Sequence, residues 1–276
     1  MKTDLIYGVE DRPPFKDALF AALQHLLAIF VAIITPPLII AGALKLDVEK
    51  TSFLVSMSLF ASGVSTFIQC RRIGPIGARL LCIQGTSFSF IGPIIATGLV
   101  GGLPLIFGSC IAAAPIEMVV SRTFKYLRNI ITPLVSGIVV LLIGLSLIKV
   151  GIVSCGGGYS AMDDGSFGSW ENLSIAALVL LSVLFFNRCK NKYLRMSSIV
   201  FGLCLGYGLA FALGKVNMSA LNVEMLMSFN IPQPFKYGVD FNISSFIAIG
   251  LVYLITAIEA TGDVTANFMI SGLPIE

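Results

Sequence analysis

Charge is what this sequence has least of. Only 12% of its 276 residues are Asp, Glu, Lys or Arg, whereas 56% are hydrophobic. A soluble domain carries about twice that share of charge, so an ordinary soluble globule is excluded. Imidazole is scarcer still, since His25 is the one histidine. No HExxH, GxSxG or GK[ST] pattern occurs, which removes the usual signatures of zinc proteases, serine hydrolases and phosphate loops. The six cysteines (Cys70, Cys82, Cys110, Cys155, Cys189, Cys204) lack CxxC or other ligand spacing. They imply neither a metal site nor a disulfide framework, and read as packing residues. No stretch is long enough to be a separate soluble domain, and no low-complexity tract appears.

What is plentiful is apolar sequence. Mean hydropathy is +0.93, and hydrophobic runs cover about 18–43, 51–70, 80–99, 103–120, 130–152, 173–186, 199–213 and 246–270. Several are near the roughly 20 residues that a membrane helix needs. The first run lacks a clean cleavage site and reads as a retained helix. If all eight span, 13 of the 18 Lys and Arg fall on the N-terminal side and 5 on the other. The positive-inside rule then expects a cytoplasmic N-terminus. Deleting any one run scrambles that alternation.

Polar residues inside these runs carry the functional signal. In the eighth, Glu259 and Asp263 are four residues apart and share a helical face, which Thr256 and Asn267 extend. A carboxylate at bilayer depth costs roughly 2.5–3.5 kcal/mol on insertion scales, so two on one stripe point to a polar site. The alternative is that Asp263 marks the helix exit and Glu259 serves a structural pair. The third run holds Gln84, Gly85, Thr86, Ser87, Phe88 and Ser89, poor material for a continuous helix. Alternation of Thr86, Phe88 and Phe90 with Ser87 and Ser89 has the period of a strand. Unwound backbone at membrane depth must line a cavity or lie buried in protein; transporters use such breaks to present backbone groups to a ligand. The other reading is a helix whose small residues admit close neighbours. The first run contains Gln24 and His25, then Pro36-Pro37, which should distort its outer end. Gly202 and Gly206 have the small-xxx-small spacing of packed helices. Gly156-Gly157-Gly158 reads as a flexible turn, in a loop whose Trp170 suits an interface.

These features together resemble the nucleobase–ascorbate transporters, close to the bacterial xanthine and uric acid permeases. The resemblance rests on EDRPPF at 10–15, QHLLAIF at 24–30, LVSM at 54–57 and the Gln84-Gly85 stretch. TPLVSGIVVLLIGLSLIKVG at 132–151 is the most telling, with PFKYG at 234–238 and EATGD at 259–263 completing it. It implies fourteen membrane segments in two inverted repeats of seven, with short strands breaking segments three and ten. On that pattern the chain is an all-α polytopic membrane protein holding the first repeat plus the first helix of the second. It divides into a cytoplasmic segment (1–17), core segments one to four (18–128), gate segments five to seven (129–213), and a loop with core segment eight (214–276).

The resemblance implies that Glu259 hydrogen-bonds a purine and couples its uptake to protons, with Asp263 as companion and His25 bracing the first segment. Phe88 would contact the base and Gln84 would belong to the same site. Ser87 would occupy a position influencing purine choice; xanthine-specialised relatives typically have Asn there, so xanthine and uric acid both stay open. The coupling ion is the proton, with no cofactor or metal. Partners implied are a purine nucleobase, protons, membrane lipid and, in full-length relatives, a second copy as homodimer; no nucleic acid is expected. The expected location is the inner or plasma membrane. Segments nine to fourteen have no counterpart in the 276 residues, so the chain is expected to be a truncated or partial permease that does not transport alone. A non-functional fragment, a channel and an intramembrane enzyme are the rival readings.

Overall fold

The computed structural model describes residues 7–8, 10–127, 138, 141, 144–145, 148–149, 151–190, 194–195, 197–216 and 232–271. Most of the fifth run, with the motif at 132–151, lies outside the described residues. Seven helices are described: α1 (Phe15–Ala43), α2 (Val48–Arg71), α3 (Ile91–Leu127), α4 (Gly158–Asp163), α5 (Trp170–Asn187), α6 (Ser198–Ala212) and α7 (Ile243–Ile270). Among the described residues, four stretches are long and apolar enough to cross a membrane: Val48–Arg71, Phe88–Thr123, Trp170–Asn187 and Ile243–Val264. The protein is an all-α, multi-pass membrane protein.

The chain forms two compact units. One comprises Met1–Pro13, Pro36–Ile148 and Pro232–Glu276; the other comprises Pro14–Thr35 and Lys149–Ile231. The boundary cuts α1 between Thr35 and Pro36. Proline has no N–H to donate, so Pro36 and Pro37 remove two ladder bonds from this helix. α1 nevertheless continues through both prolines, and the Thr35 hydroxyl donates to the Val31 carbonyl at 2.6 Å.

In the first unit α3 packs along α7. Lipid is as apolar as leucine, so close backbone approach does much of the work of association in a membrane. Gly108 shows this: a Cβ there would sit 1.7 Å from the Asp240 carbonyl oxygen just before α7. The Asp240 N–H donates to the Pro104 carbonyl at 3.0 Å. Ile249, Val252 and Ala257 are buried on α7, as are Leu105, Ile106 and Ala113 on α3. α3 is not straight. Gly101 and Gly102 are non-helical, Gly102 with φ 65° and ψ −161°. A Cβ on Gly98 would come within 2.9 Å of Ile106 Cδ1, although eight residues of straight helix rise about 12 Å. The chain therefore turns sharply here, and the third and fourth runs are separate limbs.

In the second unit α5 packs along α6. Gly202 and Gly206 are buried, and a Cβ on them would lie 2.6 Å from Val183 Cγ2 and 2.4 Å from Val179 Cγ2 respectively. The small-residue spacing is a packing seam. Lys215, after α6, pairs with Glu171, at the start of α5, at 2.9 Å. The glycine triplet is a held turn, in contrast to the flexible one expected. Gly157 and Gly158 have φ of 114° and 81°, the Asn172 amide donates to the Gly156 carbonyl at 2.8 Å, and Phe167 fills the space beside Gly156.

A candidate substrate site around an unwound segment

The third run enters the first unit without helical structure. After α2, a turn with the Ile73–Ile76 bridge leads to residues 81–87, which carry no regular structure, and then to a 3-10 turn at Phe88–Phe90. The expected break is present. The expected strand is not, since these residues pair with no strand among the described residues. Ser87 has extended dihedrals (φ −89°, ψ 131°), but the alternation stops at the 3-10 turn.

Hydroxyls take the place of a partner strand. The Thr66 Oγ1 accepts from the Gln84 N–H at 2.9 Å, and the Ser62 hydroxyl donates to the Gln84 carbonyl. Ser62 and Thr66 are four apart on one face of α2, so two side chains satisfy both polar groups of one unwound residue. Leaving such groups unmet costs about 1–3 kcal/mol each. Sequence reading passed over both residues, although hydroxyls at i and i+4 in an apolar run were the available signal.

The helical limb of the third run then starts at Ile91, directly after the 3-10 turn. A helix N-terminus is a region of positive potential, and half-helix ends near the bilayer midplane are how transporters meet anionic groups. Ser87 and Ser89 lie at this end. Their hydroxyls, with the Asp263 charge one turn along α7, are the groups acting on the Glu259 carboxylate. Ser89 Oγ is buried and closes no hydrogen bond of full geometry among the described residues; it is beside the carboxylate rather than bonded to it. Neither Glu259 nor Asp263 is ion-paired among the described residues. Glu259 is half-buried and Asp263 exposed.

The unwound segment and α7 meet again one turn further on. Cys82 Sγ accepts from the Asn267 amide and the Gln84 amide, both at 3.7 Å, and Asn267 also donates to the Asp263 carbonyl at 3.0 Å. Thr256, expected on the same stripe, is buried and bonds within its own helix to the Tyr253 carbonyl. Phe90 packs edge-on to Tyr253, ring centroids 4.9 Å apart. Phe88 and Ser87 are both half-buried. The structure thus brings Glu259, Asp263, Ser87 and Gln84 into one region of the first unit. His25 is exposed on the part of α1 that belongs to the second unit. Another residue passed over is Glu117, a half-buried carboxylate inside α3 whose charge acts on Tyr253.

Comparison with known proteins bears on this arrangement. The family model Xan_ur_permease, described as the Permease family, matches residues 16–276. The chain belongs to this permease family, the nucleobase–ascorbate transporters. It is 47% identical to xanthine permease XanQ of Escherichia coli K12, over 99% of this chain and 60% of that protein. To xanthine permease XanP of the same strain it is 46% identical, over 99% of this chain and 61% of that one. Uric acid permease PucJ of Bacillus subtilis is 34% identical over 92% of the chain and 57% of its own length. The chain therefore spans about three fifths of the relatives it matches. The permease family fits a transporter, not an enzyme.

Proposed function

We propose that this chain carries the carboxylate half of a proton-coupled purine permease, with xanthine and uric acid as the candidate substrates. The observation that supports it most directly is Glu259 without an ion pair among the described residues, set beside the hydroxyls of Ser87 and Ser89 at the end of an unwound membrane segment. Such a carboxyl can donate to a purine carbonyl when protonated and accept from a ring N–H when ionised. Proton occupancy and base binding at one group are then linked, which is the thermodynamic content of symport. Phe88 supplies a ring face whose attraction does not depend on which purine is bound. Asp263 sets the charge near Glu259, Gln84 belongs to the same lining, and His25 braces the first segment in the assembled transporter.

The names of the relatives support the substrate class, and the excess of Lys and Arg on the N-terminal side supports a cytoplasmic N-terminus. The division into core and gate segments, the homodimer and the proton as sole coupling ion belong to the same proposal. The test is uptake of radiolabelled xanthine and uric acid by cells expressing this sequence joined to the remaining segments of a full-length relative. Glu259→Gln is expected to abolish uptake or uncouple it from the proton gradient. Wild-type, gradient-driven uptake by that variant overturns the proposal.

A further inference from the structure

The first unit contains a cavity of about 710 Å³, within the roughly 300–1,000 Å³ typical of small-molecule sites. Glu259 does not line it. On α2 the lining runs from Phe53 to Ala61, about 12 Å of helix. Phe53 lies against Tyr237, at 5.5 Å between ring centroids. Ala61 neighbours Ser62, which holds Gln84, and Thr86 and Ser87 also line the cavity. The space therefore reaches from the 234–238 loop to the unwound segment.

Its walls have the chemistry of a site for a flat ring. Phe107 and Tyr237 are parallel to within 7°, centroids 6.3 Å apart. The Tyr237 hydroxyl is buried with no hydrogen-bond partner among the described residues. Lys236 Nζ stands 4.5 Å from the Phe53 ring centroid and 5.5 Å from that of Tyr237. Its ion pair is a long one, 3.5 Å to the exposed Glu49, and such pairs hold weakly.

We propose that this cavity is a second binding station for an oxopurine, separate from Glu259 and reaching toward it through Ser87. The inference rests on reading the chain as a purine permease. A ring carbonyl of the base accepts from the Tyr237 hydroxyl, removing the cost of a buried donor without a partner. The Phe107 and Tyr237 faces offer stacking, and Lys236 attracts an oxopurine that has lost a ring proton. A lipid chain could cover the apolar walls but would leave the Tyr237 hydroxyl unmet.

The test uses the 276-residue chain in nanodiscs, photolabelled with 8-azidoxanthine and mapped by mass spectrometry. Adducts are expected on peptides containing Phe53, Phe107 or residues 234–238, and excess xanthine should compete them away. Tyr237→Phe should lower this saturable labelling about three- to tenfold, the effect of one lost hydrogen bond; Phe107→Leu should lower it by a similar factor. Each variant is checked for the size-exclusion profile of the parent chain. Glu259→Gln should leave these adducts unchanged, so failure of the carboxylate reading and failure of this one are told apart. Labelling that xanthine does not compete, a Tyr237→Phe variant labelled like the parent, loss of the adducts in Glu259→Gln, or co-purified lipid in the cavity would each overturn the proposal.

Discussion

The α5–α6 pair and the α3–α7 pair are both built from apolar helices, yet they solve contact in opposite ways. Between α5 and α6 the seam is glycine against valine. Gly202 and Gly206 leave no room for a Cβ beside Val179 and Val183, and a Lys215–Glu171 pair closes one end. Around α3 and α7 the fit is close at Gly108, but polar groups are left unfinished. Ser109 is fully buried without a hydrogen-bond partner among the described residues, as is the Ser89 hydroxyl. Two carboxylates, Glu117 and Glu259, are half-buried without an ion pair among the described residues, and a membrane segment is unwound beside Glu259. Buried polar groups that stay unmet cost stability. Their concentration in one unit, among the described residues, separates the region shaped for packing from the region shaped for a ligand.

The sharpest way to break this contrast is the carboxylate. Glu259→Gln should lower uptake by about ten- to a hundredfold, the range for losing a charged hydrogen-bond partner, with the folded fraction of protein unchanged. An equal loss of folded protein would mean that Glu259 is structural. Next in size is the double variant Ser62→Ala with Thr66→Ala. It leaves the Gln84 N–H and carbonyl unmet, for about 1–3 kcal/mol each, and should raise the KM for purine more than it lowers expression. On the packing side, Gly206→Leu overfills the α5–α6 seam and should cost about 1–3 kcal/mol of stability. That loss should appear as a lower melting temperature in detergent, while the folded fraction keeps the parent's KM.

Ser89→Ala is a smaller and more discriminating change. Removing a buried hydroxyl without a partner should leave stability equal or slightly raised, whereas purine affinity should fall. A stability loss with unchanged affinity would place Ser89 among the packing residues. The smallest effect is expected at Asp47, the N-cap of α2, which accepts from the Lys50 N–H at 2.8 Å. Hydrogen bonds from Lys50 hold its carboxyl below the ordinary value of 3.8. A lowered folded-state value means the cap's contribution is present above pH 3.8 and fades as pH falls through the folded value. Asp47→Asn should flatten that acid-side slope in a helicity-against-pH titration.

Much of this was legible in residue order. Runs of apolar residues mark the helices, because a span in lipid must satisfy its backbone internally. The Gly202–Gly206 spacing marks its seam, and Gly85 with Ser87 and Ser89 marks the break. The strand expected there has no ladder partner among the described residues, and period two in side chains by itself says nothing about a backbone partner. Two α2 hydroxyls, 18 and 22 residues upstream of Gln84, supply that partner instead. Distance in sequence also hid Cys82, which joins the polar group only because Asn267 of α7 reaches it. Glu117 sits singly in its run, without a second carboxylate to form a stripe, so no periodicity drew attention to it.

The corner at Gly101–Gly102 bears on how the protein enters its membrane. The third run, with residues 81–87 unwound, cannot satisfy its own backbone and is a poor substrate for insertion by itself. The corner joins it without a polar loop to the limb beginning at Leu103, one of the most apolar stretches of the chain. The two limbs therefore have to cross as a hairpin, the stronger one carrying the weaker. A side chain at residue 102, where φ is 65°, would strain the bend on which that joint entry depends. Its first consequence would be failed biogenesis, ahead of any change in what the finished protein binds.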